Sequence, residues 1–230
     1  MKPPILSTRM FDYNKKLIPN PYLASLEEGI TSIEDAKQKS GFTIGYPGWN
    51  LLYYSVLCTL RRDAFNVILE TGTNIGSSTI VLAQALVDSQ LDGCVYSVEI
   101  DPDNYTQAVN NLEQAGVAEA VKLYNADSLT FLKEAKFPNN AISYAFLDGC
   151  HEQDYVIKEF ELVYPYLDYK SVVVFDNTYL ISEEVADKRV NGALRHIKQK
   201  YGGNLINFEN VSWFTPGLAI WQKDPFYNDW

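Results

Sequence analysis

Five acidic residues follow apolar, strand-like runs in this 230-residue chain and could act together at one edge of a sheet. They are Glu70, Glu99, Asp127, Asp148 and Asp176, separated by 29, 28, 21 and 28 residues. A strand, a crossover helix and two loops need about this spacing, so the intervals predict parallel strands whose carboxyl ends lie side by side. Ligands of open α/β sheets bind outside that edge. The five carboxylates are therefore predicted to border a ligand site.

A loop with two glycines follows the first of these acids. It runs from Glu70 to Gly76 with the sequence ETGTNIG, and a predicted helix follows. Gly72 and Gly76 allow positive φ and close backbone approach, while the first N–H groups of the helix are free to bind a polar ligand. The loop lacks both the dinucleotide fingerprint GxGxxG and the Gly-Lys-Ser/Thr of a P-loop. It therefore predicts a nucleoside ligand without a pyrophosphate, whose ribose hydroxyls would bind Glu99.

Strand-like and helix-like segments alternate along the chain and would position these residues. The predicted strands are 66–70, 94–99, 121–125, 142–147, 171–175, 204–210 and 218–223. The predicted helices are 32–41, 49–61, 77–89, 103–115, 128–135, 153–166 and 183–201. The pattern predicts an α/β fold with a Rossmann-like seven-stranded sheet, mostly parallel, with a C-terminal antiparallel hairpin and helices on both faces. We predict one domain over 1–230, in which 1–48 form an N-terminal arm or lid with little regular structure before residue 28 and 49–223 form the core.

Composition and charge limit the partners that this chain could have. Hydrophobic residues make up 47% of the chain and charged residues 21%, as in an ordinary folded protein. A net charge of -10 argues against nucleic acids and anionic membranes, because both are bound by clustered Lys and Arg. The N-terminus has no apolar stretch of signal-peptide length, and three cysteines leave one unpaired in any disulfide scheme. We therefore predict a cytoplasmic protein with no nucleic-acid or membrane partner.

The chain resembles the class I S-adenosylmethionine-dependent methyltransferases over about residues 41 to 223. Motif one of that superfamily is matched by residues 70–76, and motif two by residues 96–102, YSVEIDP. The closer resemblance is to the divalent-metal-dependent O-methyltransferases of the catechol and caffeoyl-CoA type and to related antibiotic-sugar enzymes. It rests on FLD at residues 146–148 and FDN at residues 175–177. The resemblance implies a methyl donor, S-adenosylmethionine, and a divalent cation.

The residues implied to bind the donor lie at the ends of the first four strands. They are Glu70, Gly72, Thr73, Asn74, Gly76, Ser78, Glu99, Asp127, Ser128 and Asp148. For Ser78, Asp127 and Ser128, capping of the following helix is an alternative role. The resemblance also implies that Asp148, Asp176 and Asn177 hold Mg²⁺ or a similar ion. Three hard oxygen ligands suit that ion, although Asp and Asn are also common in metal-free turns.

His151 stands where the catechol-type enzymes carry a basic lysine, three residues after Asp148. An imidazole with an ordinary pKa of about 6.5 can accept a proton near neutrality if a cation has already acidified the hydroxyl. We predict His151 as the general base, with Asp148 beside it in catalysis. A capping or surface role for His151 is the alternative.

The predicted reaction is methyl transfer to a hydroxyl of a small molecule: a catechol, a phenol or a sugar diol. The alternatives are a metal-independent N- or C-methyltransferase and a non-catalytic nucleoside-binding relative. Aromatic residues near the predicted site could wall an acceptor pocket or bury a homodimer contact. They are Tyr46, Trp49, Tyr179, Trp213 and Phe214.

Overall fold

The computed structural model of this chain describes residues 17–30, 35, 38–39, 45, 47–138, 141–178, 188–208 and 217–224. The helices in these ranges are α1 (Pro21–Leu26), α2 (Gly48–Thr59), α3 (Ser77–Ser89), α4 (Pro102–Gln114), α5 (Ser128–Glu134), α6 (Gln153–Val163) and α7 (Val190–Tyr201). The strands are β1 (Asn66–Thr71), β2 (Gly93–Glu99), β3 (Val121–Asn125), β4 (Ile142–Leu147), β5 (Leu167–Thr178), β6 (Asn204–Phe208) and β7 (Gly217–Gln222).

The strands form one sheet in the order β3-β2-β1-β4-β5-β7-β6. Strands β1 to β5 are parallel, and β7 runs antiparallel to both β5 and β6. The predicted fold class, including the C-terminal hairpin, is confirmed. Chain order reverses at β1, because β2 pairs on one side of it and β4 on the other. The carboxyl ends of β1 and β4 therefore flank the crevice where such sheets bind ligands.

Two hydrophobic cores hold the helices against opposite faces of the sheet. Ile68 of β1 packs in the first core with residues of α2 and α3, whereas Val67 and Leu69 pack in the second with residues of α5, α6 and α7. Strands β1 and β4 are buried along their whole length. Burial on both faces explains why residues 67–69 of β1 and residues 144–147 of β4 are continuous apolar runs and do not alternate with polar residues. Within the described ranges, no helix combines the length and apolar character needed to cross a membrane.

Element boundaries differ from the sequence prediction most clearly at helix α6, at strand β5 and at the start of helix α7, where residues 188 and 189 precede the helix that begins at Val190. Helix α6 ends at Val163 and a 3₁₀ turn over Tyr164–Tyr166 follows, because Pro165 has no N–H to continue the helix. Strand β5 runs for 12 residues, far beyond the predicted 171–175. The predicted helix at 32–41 lies mostly outside the described residues, as do residues 183–187 of the predicted last helix.

The N-terminal segment contains a helix that its composition did not predict. Asn20 caps α1 by accepting a hydrogen bond from the backbone N–H of Tyr22 at 2.8 Å. Pro21 occupies the first helical position, where its missing N–H costs nothing. Leu23 is fully buried in the first core. This part of the predicted arm is therefore a helix packed on the domain.

Candidate active site

The strand register places the predicted site residues along one edge. Thr71, the last residue of β1, pairs with Val98 of β2 and with Leu147 of β4. Leu147 pairs in turn with Phe175 of β5. The residues that follow these strands are therefore neighbours, and Asp148 lies beside Asp176. The predicted edge of carboxylates is present in the structure.

The loop after β1 lies directly against the backbone at the end of β4. Gly72 has a φ of +81°, and a Cβ atom there would lie 2.0 Å from the carbonyl oxygen of Asp148. Gly76 has a φ of +91° and precedes α3, while Asn74 takes a φ of +50° between the two glycines. Only glycine fits at position 72, because both the conformation and the space exclude a side chain. The loop from Gly72 to Gly76, here named the donor loop, therefore contacts the backbone of the predicted metal ligand Asp148.

Glu70 lies beneath this loop and is fully buried. Its Oε2 accepts hydrogen bonds from Ser97 Oγ at 2.5 Å and from the hydroxyl of Thr79 at the start of α3. Burial raises the pKa of Glu70, and hydroxyl groups that include that of Ser78 partly offset this effect. Thr73 is also buried, with its hydroxyl on Ser97. The side chains of Glu70 and Thr73 both form hydrogen bonds on the buried side of the loop. Because the Thr73 hydroxyl contacts Ser97, only the backbone of Thr73 is available to a donor.

Glu99 links the first two strand ends. Its Oε2 accepts a hydrogen bond from the backbone N–H of Asn74 at 2.6 Å, and its Oε1 accepts one from Asp101 at 2.8 Å. A carboxylate has about four acceptor positions, so each oxygen keeps a lone pair for a ribose hydroxyl. The structure places Glu99 beside the donor loop, where the sequence predicted it.

Asp127 and Ser128 at the start of α5 are held by protein contacts. Oδ2 of Asp127 accepts from the N–H and hydroxyl of Thr130 at 2.8 Å, which is the capping role considered above. Its Oδ1 accepts from Tyr155 at 2.5 Å, and this bond lowers the pKa of Asp127. Ser128 donates to Oε1 of Glu159 at 2.5 Å. Contact with adenine remains a prediction for both residues.

Asp148 and Asp176 form a pair of carboxyl groups at the end of β4 and β5. Burial raises the pKa of each well above its usual range, and the two side chains are hydrogen-bonded to one another. Oδ1 of Asp176 is buried with no hydrogen-bond partner in the described part of the chain. Across the same residues, no cluster of three or more His, Cys, Asp or Glu side chains could hold a metal ion. A metal site formed by Asp148 and Asp176 would need the amide oxygen of Asn177 as its third protein ligand.

His151 bridges Asp148 and Asn177. Its Nε2 lies 3.1 Å from Oδ1 of Asp148, and Nδ2 of Asn177 lies 2.9 Å from its Nδ1 and 2.8 Å from its Nε2. The amide of Asn177 therefore contacts both ring nitrogens, whereas Asp148 contacts Nε2 alone. Burial lowers the pKa of His151 and so favours the neutral ring. The sequence-predicted base and metal ligands are therefore in direct contact.

A known domain family matches the part of the chain that carries these residues. Residues 69–178 match the family described as "Methyltransferase domain". The matched part of this chain, slightly less than half of it, is a methyltransferase domain. The resemblance to the class I S-adenosylmethionine-dependent methyltransferases is confirmed by this match and by the fold. The matched residues run from β1 to the end of β5, and thus include both the donor loop and the Asp148–Asp176 pair.

Solved structures of O-methyltransferases share the fold of this methyltransferase. The O-methyltransferase TomG of Streptomyces achromogenes, involved in tomaymycin synthesis and solved with SAM, is 19% identical at a TM-score of 0.68, over 89% of this chain and 90% of that one. An O-methyltransferase of Bacillus cereus solved with SAH is 19% identical at a TM-score of 0.58, over 94% and 93% of the two chains. At this identity the likeness concerns the fold.

A curated relative of the methyltransferase acts on RNA. It is the tRNA1(Val) (adenine(37)-N6)-methyltransferase of Histophilus somni, 29% identical over 79 residues. The matched segment spans 34% of this chain and 32% of that relative. The likeness thus covers about a third of the relative's length.

Two residues at the site of the methyltransferase were missed by the sequence analysis, Tyr155 and Glu159 of α6. The buried positions of this helix are Val156, Glu159, Phe160 and Val163. They follow the spacing of an amphipathic helix, so Glu159 occupies a place where an apolar residue is expected. That mismatch was visible in the sequence and marks a buried carboxyl.

The aromatic residues predicted around the acceptor take different places. Trp49 is fully buried in the first core, so neither alternative considered for it, a pocket wall or a homodimer contact, fits its position. The apolar face of α2 packs it onto the sheet instead. Tyr46, Tyr179, Trp213 and Phe214 lie outside the described residues.

Proposed function

We propose that this methyltransferase transfers the methyl group of S-adenosylmethionine to a hydroxyl of a small molecule: a catechol, a phenol or a sugar diol. One observation carries the proposal: the backbone of Asp148, whose carboxyl group contacts that of Asp176, lies directly against the loop at Gly72. Oxygen ligands for a cation therefore border the place expected for the donor. The names of TomG and the Bacillus cereus enzyme, both O-methyltransferases, support oxygen as the acceptor.

A divalent cation suits the oxygen atoms of this site. Two carboxyl groups in contact need a proton or a cation between them, and Oδ1 of Asp176 is buried without a hydrogen-bond partner in the described residues. Asp148, Asp176 and the amide oxygen of Asn177 would hold Mg²⁺. When bound, Mg²⁺ would lower the pKa of a substrate hydroxyl and fix two adjacent oxygens of the acceptor.

The protein residues would position both reactants and accept the proton. The loop from Gly72 to Gly76 and Glu99 would hold the donor with its methyl group facing Asp148. The acceptor oxygen forms a bond to the methyl carbon while the carbon–sulfur bond breaks, and its electron pair stays on sulfur as S-adenosylhomocysteine forms. His151 would take the hydroxyl proton on a ring nitrogen that is released from Asn177. Catalysis would rest mainly on orientation.

Calorimetry of wild type, D176N and D63N tests this proposal. Asp63 is an exposed turn residue that precedes β1, and so serves as a control. We expect all three proteins to bind S-adenosylhomocysteine, whereas only wild type and D63N bind catechol with added Mg²⁺ and methylate it. Full activity of D176N, or of wild type in EDTA, would favour metal-independent transfer. No binding of S-adenosylhomocysteine to wild type would contradict the donor site.

A further inference from the structure

The carboxyl group of Glu159 is buried beneath the active site and has no role in the proposed reaction. Its residue is only 1% exposed and lies on the inward face of α6, between Val156 and Val163. Burial raises the pKa of Glu159 to about 7. Burying a carboxyl group is costly, so an apolar residue of similar size would serve packing better. Packing of the core therefore does not explain why position 159 carries a carboxyl group.

Glu159 and Tyr155 together hold the start of α5. Ser128, the first residue of α5, donates to Oε1 of Glu159 at 2.5 Å. Tyr155 lies one turn earlier on α6 and donates to Oδ1 of Asp127 at 2.5 Å, with its hydroxyl 3.0 Å from that of Ser128. Residues four apart on a helix lie on the same face. Both side chains thus reach the junction between β3 and α5 from one face of α6.

The same carboxyl group also lies against the loop that carries Asp148. A Cβ atom on Gly149 would lie 3.1 Å from Oε1 of Glu159 and 3.5 Å from the hydroxyl of Thr71. The Thr71 hydroxyl lies close enough to Glu159 to lower its pKa. The carboxyl group of Glu159 therefore lies near the ends of β1 and β4 and is bonded to the start of α5. Helix α6 begins two residues after His151, so it directly follows the loop that carries Asp148 and His151.

We infer that Glu159 is a positioning residue, which fixes the start of α5 relative to the loop that carries Asp148 and His151. The inference rests on the proposed donor site, since α5 begins where the adenine is expected. Without Glu159 the buried Ser128 hydroxyl would lose its acceptor, and the junction at Asp127 would be held by Tyr155 alone. The donor would then bind less tightly and sit less accurately against the acceptor.

Donor affinity and turnover of matched variants test this role. We expect E159A to raise the Kd for S-adenosylhomocysteine up to about tenfold, as the loss of one buried hydrogen bond predicts, and to lower kcat at saturating donor. E159Q keeps an oxygen that accepts from Ser128, so its Kd should stay within about threefold of wild type. In the double variant E159A/S128A, the Kd should be no higher than in E159A, because both changes remove the same bond. E161A is the control, because Glu161 lies on the same helix but pairs with Lys200 at the surface.

The outcomes separate this role from a purely structural one. A lower Tm for E159A with unchanged Kd and kcat would overturn the inference. If E159A does not fold, S128A alone carries the test, and an S128A protein with wild-type Kd and kcat would overturn it. Failure of wild type to bind S-adenosylhomocysteine would overturn the donor site itself, and the inference with it. Equal affinity of wild type and E159A would leave the donor site standing and reject only the role of Glu159.

Discussion

His151 lies between a predicted metal ligand on each side, so removing its ring tests the predicted base. We expect H151A to lower kcat by about 10²–10⁴-fold, the usual contribution of a general base, with little change in the Kd for S-adenosylhomocysteine. The measurement is methylation of catechol with added Mg²⁺. H196A is the control, because His196 lies on α7 and is half-buried. Turnover of H151A equal to that of H196A would reject His151 as the base.

The carboxyl group of Glu159 should make stability depend on pH. Its pKa is about 7 in the folded protein, against 4.5 as the ordinary value. Between these values the folded state holds one proton more than the unfolded state, so the free energy of unfolding falls as pH rises and levels off above about pH 7. This fall corresponds to about 3 kcal/mol at most. E159Q lacks the titrating group and should gain stability relative to wild type from pH 5 to pH 8.

Urea unfolding of both proteins at the two pH values measures this effect. Stability differences that are equal at pH 5 and pH 8 would show that Glu159 ionises at the same pH in the folded and unfolded states. Its hydrogen bond to Ser128 would then be that of an ordinary carboxylate.

The loop after β1 should not tolerate a side chain at Gly72. G72A would place a methyl group 2.0 Å from the carbonyl oxygen of Asp148, an atom fixed in the backbone. We expect it to lower the free energy of unfolding by more than about 3 kcal/mol, or to abolish donor binding in any folded fraction. G116A is the matched control, since Gly116 has a φ of +72° but open space around it. It should cost only about 1 kcal/mol of backbone strain. If G72A and G116A lose similar free energies of unfolding, the positive φ at Gly72 requires glycine, and the contact with the carbonyl oxygen of Asp148 does not.

Helix α1 should stabilise the donor loop through two hydrogen bonds. Tyr22 donates to Oδ1 of Asn111 at 2.7 Å, and Nδ2 of Asn111 donates to the carbonyl of Ile75 at 2.7 Å. Y22F leaves Oδ1 of Asn111 without this donor, so we expect a loss of about 1 kcal/mol in stability and a roughly threefold higher Kd for S-adenosylhomocysteine. Y54F is the control, because Tyr54 is exposed. If Y22F and Y54F bind S-adenosylhomocysteine with equal affinity, α1 does not stabilise the donor loop.

Much of the fold could be predicted from the sequence because each element has a local signal. Apolar runs that end on an acid marked the parallel strands, and glycines marked the loop after β1. The helix at Pro21–Leu26 was missed, because its cap and its buried Leu23 depend on packing against a distant part of the chain. The length of β5 was also missed, since pairing with β4 at Leu167 and with β7 at Thr178 extends it beyond its apolar centre.

The positions of the site residues followed from the strand ends, but their side-chain directions did not. Asp148 and Asp176 meet because Leu147 pairs with Phe175, which parallel strands predict. Thr73 lies beside Asn74 in the sequence, yet its hydroxyl turns inward to Ser97. Such a direction depends on buried partners from other strands, and no local pattern encodes it.

The charge of the whole molecule bears on the RNA-modifying relative. At a net charge of -10, the surface offers little to neutralise phosphates. We expect no tRNA binding in a gel-shift assay at 50 mM salt, roughly the range where such contacts are strong. A basic tRNA-binding protein serves as the positive control. Salt-sensitive binding of tRNA would contradict the prediction of a small-molecule acceptor.

The contact between Gly72 and the backbone of Asp148 also limits how this enzyme could be redesigned. The proposed donor and cation sites meet there without an intervening side chain, so we expect a substitution at this point to affect both sites. A mutant library for new acceptors should therefore keep both positions fixed. Substitutions should instead be introduced in the loops beyond the strand ends, where they leave the proposed donor site unchanged.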